Sequence, residues 1–356
     1  MANHKYICIM AGGIGSRFWP SSTAERPKQF LDILGVGKSL IQMTFERCVR
    51  TVPADQILVI TNMRYRTLVM EHLPDLPVPN ILCEPSMNNT GPAVAYAALR
   101  IRAMDSDAVF AMLPSDQMIL KEDAYVQKLE QAFDFSQKNN AIVTLGILPT
   151  RPDTGYGYIL AQQEGREDSE GPSVLKVESF KEKPDQQTAQ SYLRDGNYYW
   201  NAGMFIWSVT TVLKSFEKNA PEILQELERD IAKYNTAQEQ EYIDRVYPLT
   251  PSISVDYAIL EKADNVYTIP SDIGWSDLGT WNSLHAYLEG DENQNIVHIE
   301  QGDIADVNNC IIRVSGNKKV VVRGLKNYIV VDEDDALLIY PKDHEQDIKS
   351  VVKSLK

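Results

Sequence analysis

The segment Ala11-Gly12-Gly13-Ile14-Gly15-Ser16-Arg17 follows an apolar run, Tyr6–Met10, and leads on to Lys28. Glycine at 12, 13 and 15 removes the Cβ atoms that would keep successive backbone N–H groups from converging on one anion. Arg17 and Lys28 add two cations to the same stretch, so the chemistry this spacing supports is the binding of a phosphate-rich ligand. Two familiar phosphate motifs do not fit. No helix-opening glycine follows Gly12-x-x-Gly15, and Pro20 interrupts the segment, which disfavours a dinucleotide-binding dehydrogenase. At Gly35-Val36-Gly37-Lys38-Ser39, Asp32 occupies the place where a P-loop requires its first glycine, so that stretch reads as a turn before a helix.

A loop of this kind needs a frame to hold it. Tyr6–Met10, Ile57–Thr61, Ile81–Cys83, Val109–Leu113 and Ile142–Leu145 read as buried strands, and Ser39–Arg50, Arg64–His72, Gly91–Met104 and Glu122–Asn139 show helical spacing between them. The alternation predicts βαβ units: an α/β, Rossmann-like, mostly parallel sheet, with ligands beyond the carboxyl ends of its strands. Asp116 falls at such an end, after Val109–Leu113; by itself it reads as a turn aspartate, and Asp277 as the N-cap of a helix through Trp281. From about 150 to 210, Gly, Tyr and Trp among short strands predict an antiparallel extension over the site. Ala220–Arg245 reads as a charged, solvated helical face, and Trp200, Trp207 and Tyr158 read as core. After His285, valine- and isoleucine-rich strands with frequent turns predict a small β-domain, a β-helix of few turns, closed by an amphipathic helix over 345–356. The acidic run Asp332–Asp335 within it reads as solvated. The division expected is a catalytic domain at 1–288 and the small β-domain at 289–356.

Composition narrows the partners. The chain has 356 residues, 44% hydrophobic and 24% charged, which excludes general disorder. Its formal net charge of −14 disfavours nucleic acid and anionic membranes, while leaving room for a local basic pocket. No apolar run is long enough to span a bilayer, and no signal-peptide pattern opens the chain. Four scattered cysteines without a Cys-x-x-Cys pair predict reduced thiols and a cytoplasmic setting. The five histidines are too dispersed for a zinc cluster.

Taken together, AGGIGSRFWPSS…RPKQFL, Glu84-Pro85…Asn89-Thr90-Gly91-Pro92, Pro114-Ser115-Asp116, Pro152…Gly155-Tyr156-Gly157-Tyr158, Phe180-Lys181-Glu182-Lys183-Pro184, Trp200-Asn201-Ala202-Gly203, Val255-Asp256-Tyr257-Ala258 and Gly274-Trp275-Ser276-Asp277-Leu278-Gly279 carry a resemblance. The chain resembles the sugar-nucleotide pyrophosphorylases, and Trp19-Pro20 with Lys28-Gln29-Phe30 resembles their mannose-1-phosphate guanylyltransferase branch. Residues 303–356 also resemble the small β-domain of that family. Gln117 and Asp153 depart from it, at positions with no chemical role assigned.

The resemblance implies that GTP and mannose 1-phosphate give GDP-mannose and pyrophosphate, with magnesium as cofactor. It implies nucleotide contacts at Gly12, Gly13, Gly15, Ser16, Arg17, Lys28, Glu84, Asn89, Thr90 and Ser115, and metal ligands at Asp116 and Asp277. Lys183 becomes the expected sugar-phosphate cation, aimed by an extended backbone before Pro184, with Gly157, Glu182, Asn201 and Asp256 around the sugar. Arg17, Lys28 and Lys183 are the expected catalytic cations. A homodimer is implied, and no isomerase activity is expected. Two other readings stay open: a relative with a different base or sugar, and a silent nucleotide-sugar-binding regulatory subunit.

Overall fold

The computed structural model describes residues 4–162, 174–285 and 287–355. They form two compact units. The first comprises residues 1–12, 45–115 and 119–275; the second comprises 13–44, 116–118 and 276–356.

The first unit is built on one nine-stranded sheet. Its strands are β1 (Lys5–Ala11), β2 (Ile57–Asn62), β3 (Ile81–Glu84), β4 (Val109–Pro114), β5 (Ile142–Ile147), β6 (Tyr158–Ala161), β7 (Leu175–Lys181), β8 (Tyr198–Ser208) and β9 (Val266–Pro270). They lie in the order β3-β2-β1-β4-β8-β5-β9-β7-β6. The first four run parallel, as do β5 and β9. Strand β8 runs antiparallel to both β4 and β5, joining the two parallel halves. Continuous apolar runs such as Ile57–Ile60 and Val109–Leu113 form these strands because helices cover both faces and both alternations of side chains are buried. The antiparallel extension predicted for 150–210 is therefore part of the main sheet over its described residues, 163–173 lying outside them, and Trp200, Trp207 and Tyr158 are buried as expected.

One expectation fails in this unit. The stretch 220–245 is not a solvated face: its helices Pro221–Leu227 and Glu239–Val246 turn Ile223, Leu224, Leu227, Tyr242, Ile243 and Val246 into the core. Even Glu239 is buried, accepting from Tyr96 Oη at 3.0 Å and pairing with Arg100 at 3.3 Å. Charge density along the sequence hid an amphipathic apolar stripe.

The second unit joins the glycine-rich segment to the C-terminal strands β10 (Ile296–His298), β11 (Gln301–Ala305), β12 (Ile311–Val314), β13 (Lys319–Arg323), β14 (Tyr328–Asp332) and β15 (Leu337–Pro341). Parallel ladders β10–β12–β14 and β11–β13 stack successive coils of the chain as a β-helix, and antiparallel β15 ends the stack. Phe18, Leu31, Ile33 and Leu40 share one core with Trp281, Ile311, Ile329, Val331 and Leu338. Among the described residues no helix is long and apolar enough to cross a membrane.

Candidate active site

Strand β1 delivers the chain to Gly12, and the glycine-rich turn lies just beyond it, in the second unit. Gly15 adopts φ 71°, where only glycine is unstrained, and starts the short turn Ser16–Phe18. A Cβ at Gly15 would lie 2.4 Å from Lys28 Cβ, so the turn packs directly on the lysine. Lys28 heads a second short turn, Lys28–Phe30, and is only 3% exposed. Its ammonium donates to Asp116 Oδ2 at 2.9 Å and to the main-chain carbonyl of Asp277 at 2.7 Å, and stands 5.7 Å from the Phe18 ring centroid. A buried ammonium requires such compensation. Residues far apart in sequence thereby meet at one charge. Arg17 is exposed and, among the described residues, has no ion-pair partner; Gly13 is open to solvent and Ser16 half-buried.

Asp277 does not cap the helix Trp281–His285. Thr280 and Ser283 do so reciprocally, at 2.9 Å and 3.1 Å, while Asp277 Oδ1 accepts from Gly279 N–H at 3.0 Å. The local bend holds the aspartate in a turn ahead of the helix. As a test for a divalent cation, Asp116 and Asp277 offer only hard oxygen donors and share Lys28. Among the described residues no group of three or more His, Cys, Asp or Glu side chains gathers to hold a metal, at this pair or elsewhere. Two carboxylates fit a hard cation whose remaining shell comes from phosphate and water.

In the first unit, Glu84 ends β3 and is 7% exposed. Tyr247 Oη donates to its Oε1, and Asn62 Nδ2 to its main-chain carbonyl at 3.1 Å. Its Oε2 lies 3.7 Å from where a Cβ on Gly12 would be, so the second oxygen faces the end of β1. Burial pushes the Glu84 carboxyl up to about 7, against the opposing Tyr247 hydrogen bond. Asn89 takes φ 70° and caps Thr90–Met104 through Oδ1 to Thr90 N–H at 2.9 Å. Thr90 Oγ1 accepts from Val255 N–H at 2.9 Å, which fixes the backbone beside Asp256. Ser115, 2% exposed, donates its N–H to Met10 at 3.1 Å.

The residues expected around the sugar also gather. A Cβ on Gly157 would lie 2.5 Å from Glu182 Oε2, and the Gly157 carbonyl accepts from Asn201 N–H at 2.8 Å. Asn201 Nδ2 donates to Asp256 Oδ1 at 3.2 Å. Burial raises the Asp256 carboxyl to about 6; the nearby Glu182 charge adds to the rise, and Lys183 opposes it. Lys183 pairs with Glu182 and keeps most of its side chain exposed. Its backbone corrects the expectation: φ is 45°, a left-handed turn and not an extended link. Proline at 184 disfavours the right-handed helical region for Lys183, and the chain must reverse between β7 and the helix Gln186–Asp195, which Asp185 caps. A non-glycine residue in this region carries strain that its surroundings must hold.

Sequence reasoning missed Tyr247, which grips Glu84, and Asn88, whose Nδ2 donates to the Tyr247 and Thr250 carbonyls at 3.1 Å and 2.9 Å. Asn88 stood one residue from a motif position; Tyr247 had no local signal.

Residues 7–294 match the family described as nucleotidyl transferase, and residues 304–355 match a MannoseP isomerase/GMP-like beta-helix domain. A mannose-1-phosphate guanylyltransferase of Salmonella muenchen is 37% identical over 354 residues, covering 98% of this chain and 72% of that protein. A crystal structure described as mannose-1-phosphate geranyltransferase from Thermus thermophilus is 30% identical, with a TM-score of 0.87 over 99% of both chains. A mannose-6-phosphate isomerase structure from Helicobacter pylori is 25% identical, with a TM-score of 0.62 over 76% of this chain and 99% of that one.

Proposed function

The chain belongs to the nucleotidyl transferase family, and from that premise we infer that it makes GDP-mannose and pyrophosphate from GTP and mannose 1-phosphate. The observation that carries the reading is Lys28, buried between Asp116 and Asp277 behind a glycine-rich turn. The attacking group is a sugar-phosphate oxygen that is already anionic, so no general base is needed. The difficulty is charge: a phosphate must approach a triphosphate in line, and catalysis rests on positioning and electrostatic compensation.

The chain supplies that compensation in pieces. Backbone N–H groups at Gly12, Gly13, Gly15 and Ser16 face the triphosphate, with Arg17 beside them. Two of the three Lys28 ammonium donors are taken by Asp116 and Asp277, which leaves one for a phosphate oxygen. Lys183, with Glu182, Asn201 and Asp256, receives the sugar phosphate. Glu84, whose Oε2 is not the oxygen held by Tyr247, accepts the N1 and N2 hydrogens of guanine, with Asn89, Thr90 and Ser115 shaping the nucleoside side. Members of this family use a divalent metal; we assign magnesium to Asp116 and Asp277, where it neutralises triphosphate charge when bound.

The alternative of a silent regulatory subunit is not favoured, since Arg17, Lys28, Lys183 and both aspartates are all present and Lys28 bonds to both aspartates. Free, buried cysteines at 8, 48, 83 and 310 support a reducing, cytoplasmic setting. A homodimer is supported by β15, an edge strand whose Leu337 and Ile339 are each 56% exposed on one face. The test is pyrophosphate release across four nucleoside triphosphates and several sugar 1-phosphates, with mannose 6-phosphate isomerisation as a further arm. Release confined to another pair, or isomerisation alone, overturns the reading.

A further inference from the structure

The acidic run 332–335, read from sequence as solvated, is not uniformly so. Asp332 pairs with Lys318 at 2.6 Å, and Glu333 turns inward. Glu333 Oε1 accepts from Ser21 Oγ, and its Oε2 accepts from Ser315 Oγ at 2.9 Å. On β12, Arg313 donates to the carbonyl of Ile33 and, at 3.4 Å, to that of Asp32. Burial lowers the Arg313 guanidinium, opposed by the charges of Glu333 and Asp32. Ser21 and Asp32-Ile33 are the two ends of the segment that carries Lys28.

The contacts inside that segment pass the restraint inward. Ser22 Oγ and Lys28 N–H both donate to the carbonyl of Ile14, within the glycine-rich turn, and Leu31 N–H closes on the Lys28 carbonyl at 3.0 Å. Asp32 Oδ1 and Oδ2 accept from Val36 and Gly37 N–H at 2.9 Å and 2.7 Å, so the outer anchor is itself rigid. The aspartate side is braced likewise. Buried Glu345 Oε2 accepts from Asn282 N–H at 2.8 Å, and Asn282 Nδ2 donates to the Lys342 carbonyl at 3.0 Å, in the helix that follows Asp277.

We propose that the C-terminal β-domain is a positioning element of the nucleotide site: Glu333 and Arg313 clamp both ends of the Ser21–Ile33 segment and so fix the Lys28 ammonium against Asp116 and Asp277. Neither residue touches substrate; both act through the loop. The inference rests on the assignment of that loop to GTP. A polar clamp in place of simple apolar burial sets register, because a hydrogen bond tolerates little displacement whereas apolar contact slides.

Glu333→Gln and Arg313→Lys in the full chain test it, with each substrate varied in turn. Either substitution is expected to raise KM for GTP roughly tenfold while KM for mannose 1-phosphate stays within about twofold, since displacement of a reacting group by about 1 Å costs up to about a hundredfold. The melting temperature should move little. Ser21→Ala is the loop-side counterpart, and combined with Glu333→Gln it should add nothing further to KM for GTP. An unchanged KM for GTP overturns the clamp. So do equal losses on both substrates with a lowered melting temperature, which mark support of the fold alone, and so do additive effects in the double variant. Absence of GTP turnover in the unsubstituted protein overturns the functional assignment itself, and the clamp with it.

Discussion

Lys28 and Lys183 are both cations, yet they sit in different surroundings. Lys28 is buried and bonded to Asp116 and Asp277; Lys183 is exposed on a left-handed turn beside Glu182. A lysine acts as a point charge on its own phosphate, so Lys28→Ala should impair handling of GTP and Lys183→Ala should raise the requirement for mannose 1-phosphate. Asp116→Asn, which keeps size and loses charge, should cost about 3 kcal/mol of transition-state stabilisation with the fold intact. Steady-state kinetics with each substrate varied, at saturating magnesium, reads both effects; identical defects on the two axes would argue against separate pockets. Glu84 adds a pH signature. Burial pushes its carboxyl up to about 7, and on the proposed assignment of Glu84 to guanine only the ionised form would accept both guanine hydrogens. KM for GTP should therefore rise as pH falls below about 7, approaching tenfold per unit, and Glu84→Gln should abolish that dependence. Stability moves the other way: the contribution of the raised group is fully present below 4.5 and is lost as pH rises through about 7.

At the scale of elements, two turns decide how close backbone and side chain can come. Gly15, at φ 71°, packs on the Lys28 stem with no room for a Cβ, and Gly157 packs on the Glu182 carboxylate, which a Cβ would push aside. Gly15→Ala combines backbone strain with a clash and should displace Lys28, so its defect should fall on GTP. Gly157→Ala should displace Glu182 and fall on mannose 1-phosphate. Losses of roughly a hundredfold in kcat/KM are expected, each on one substrate; measurement of the two variants on both axes separates the turns, and crossed or equal defects would contradict the placement. The strands and long helices that bear these turns were legible from apolar runs and periodicity: β1, β2, β4 and β5 and the helices after β3 and β4 lie within two residues of expectation. The strands, buried on both faces, show as short continuous apolar runs, and the helices as an apolar spacing of about 3.6 residues. The reversal at Lys183 was not legible, because the residues before a proline are set by where the chain must go next.

For the whole molecule, the glycine-rich segment belongs with the C-terminal strands, sharing the core around Phe18 and Trp281, whose rings meet edge-on at 4.9 Å. Truncation after residue 290 removes Ile311, Ile329, Val331 and Leu338 from that core and exposes Phe18. The truncated chain should lose solubility and, in whatever soluble fraction remains, GTP affinity. Sedimentation with a GTP-binding measurement checks this; a soluble truncated chain that binds GTP normally would show that the shared core is dispensable to the loop.

Residue types and their spacing set the chemistry available: a glycine-rich turn with two cations, an aspartate after a strand, and a parallel α/β frame to carry them. These are local properties, set by residue type and spacing. It took the folded chain to bring Lys28 between Asp116 and Asp277, Tyr247 onto Glu84, and Glu333 and Arg313 to the segment bearing Lys28. Each of these contacts joins residues far apart in the chain, and no periodicity or motif links them. Such pairings follow from how a whole core packs, since a buried charge takes whichever partner the fold brings within hydrogen-bonding distance.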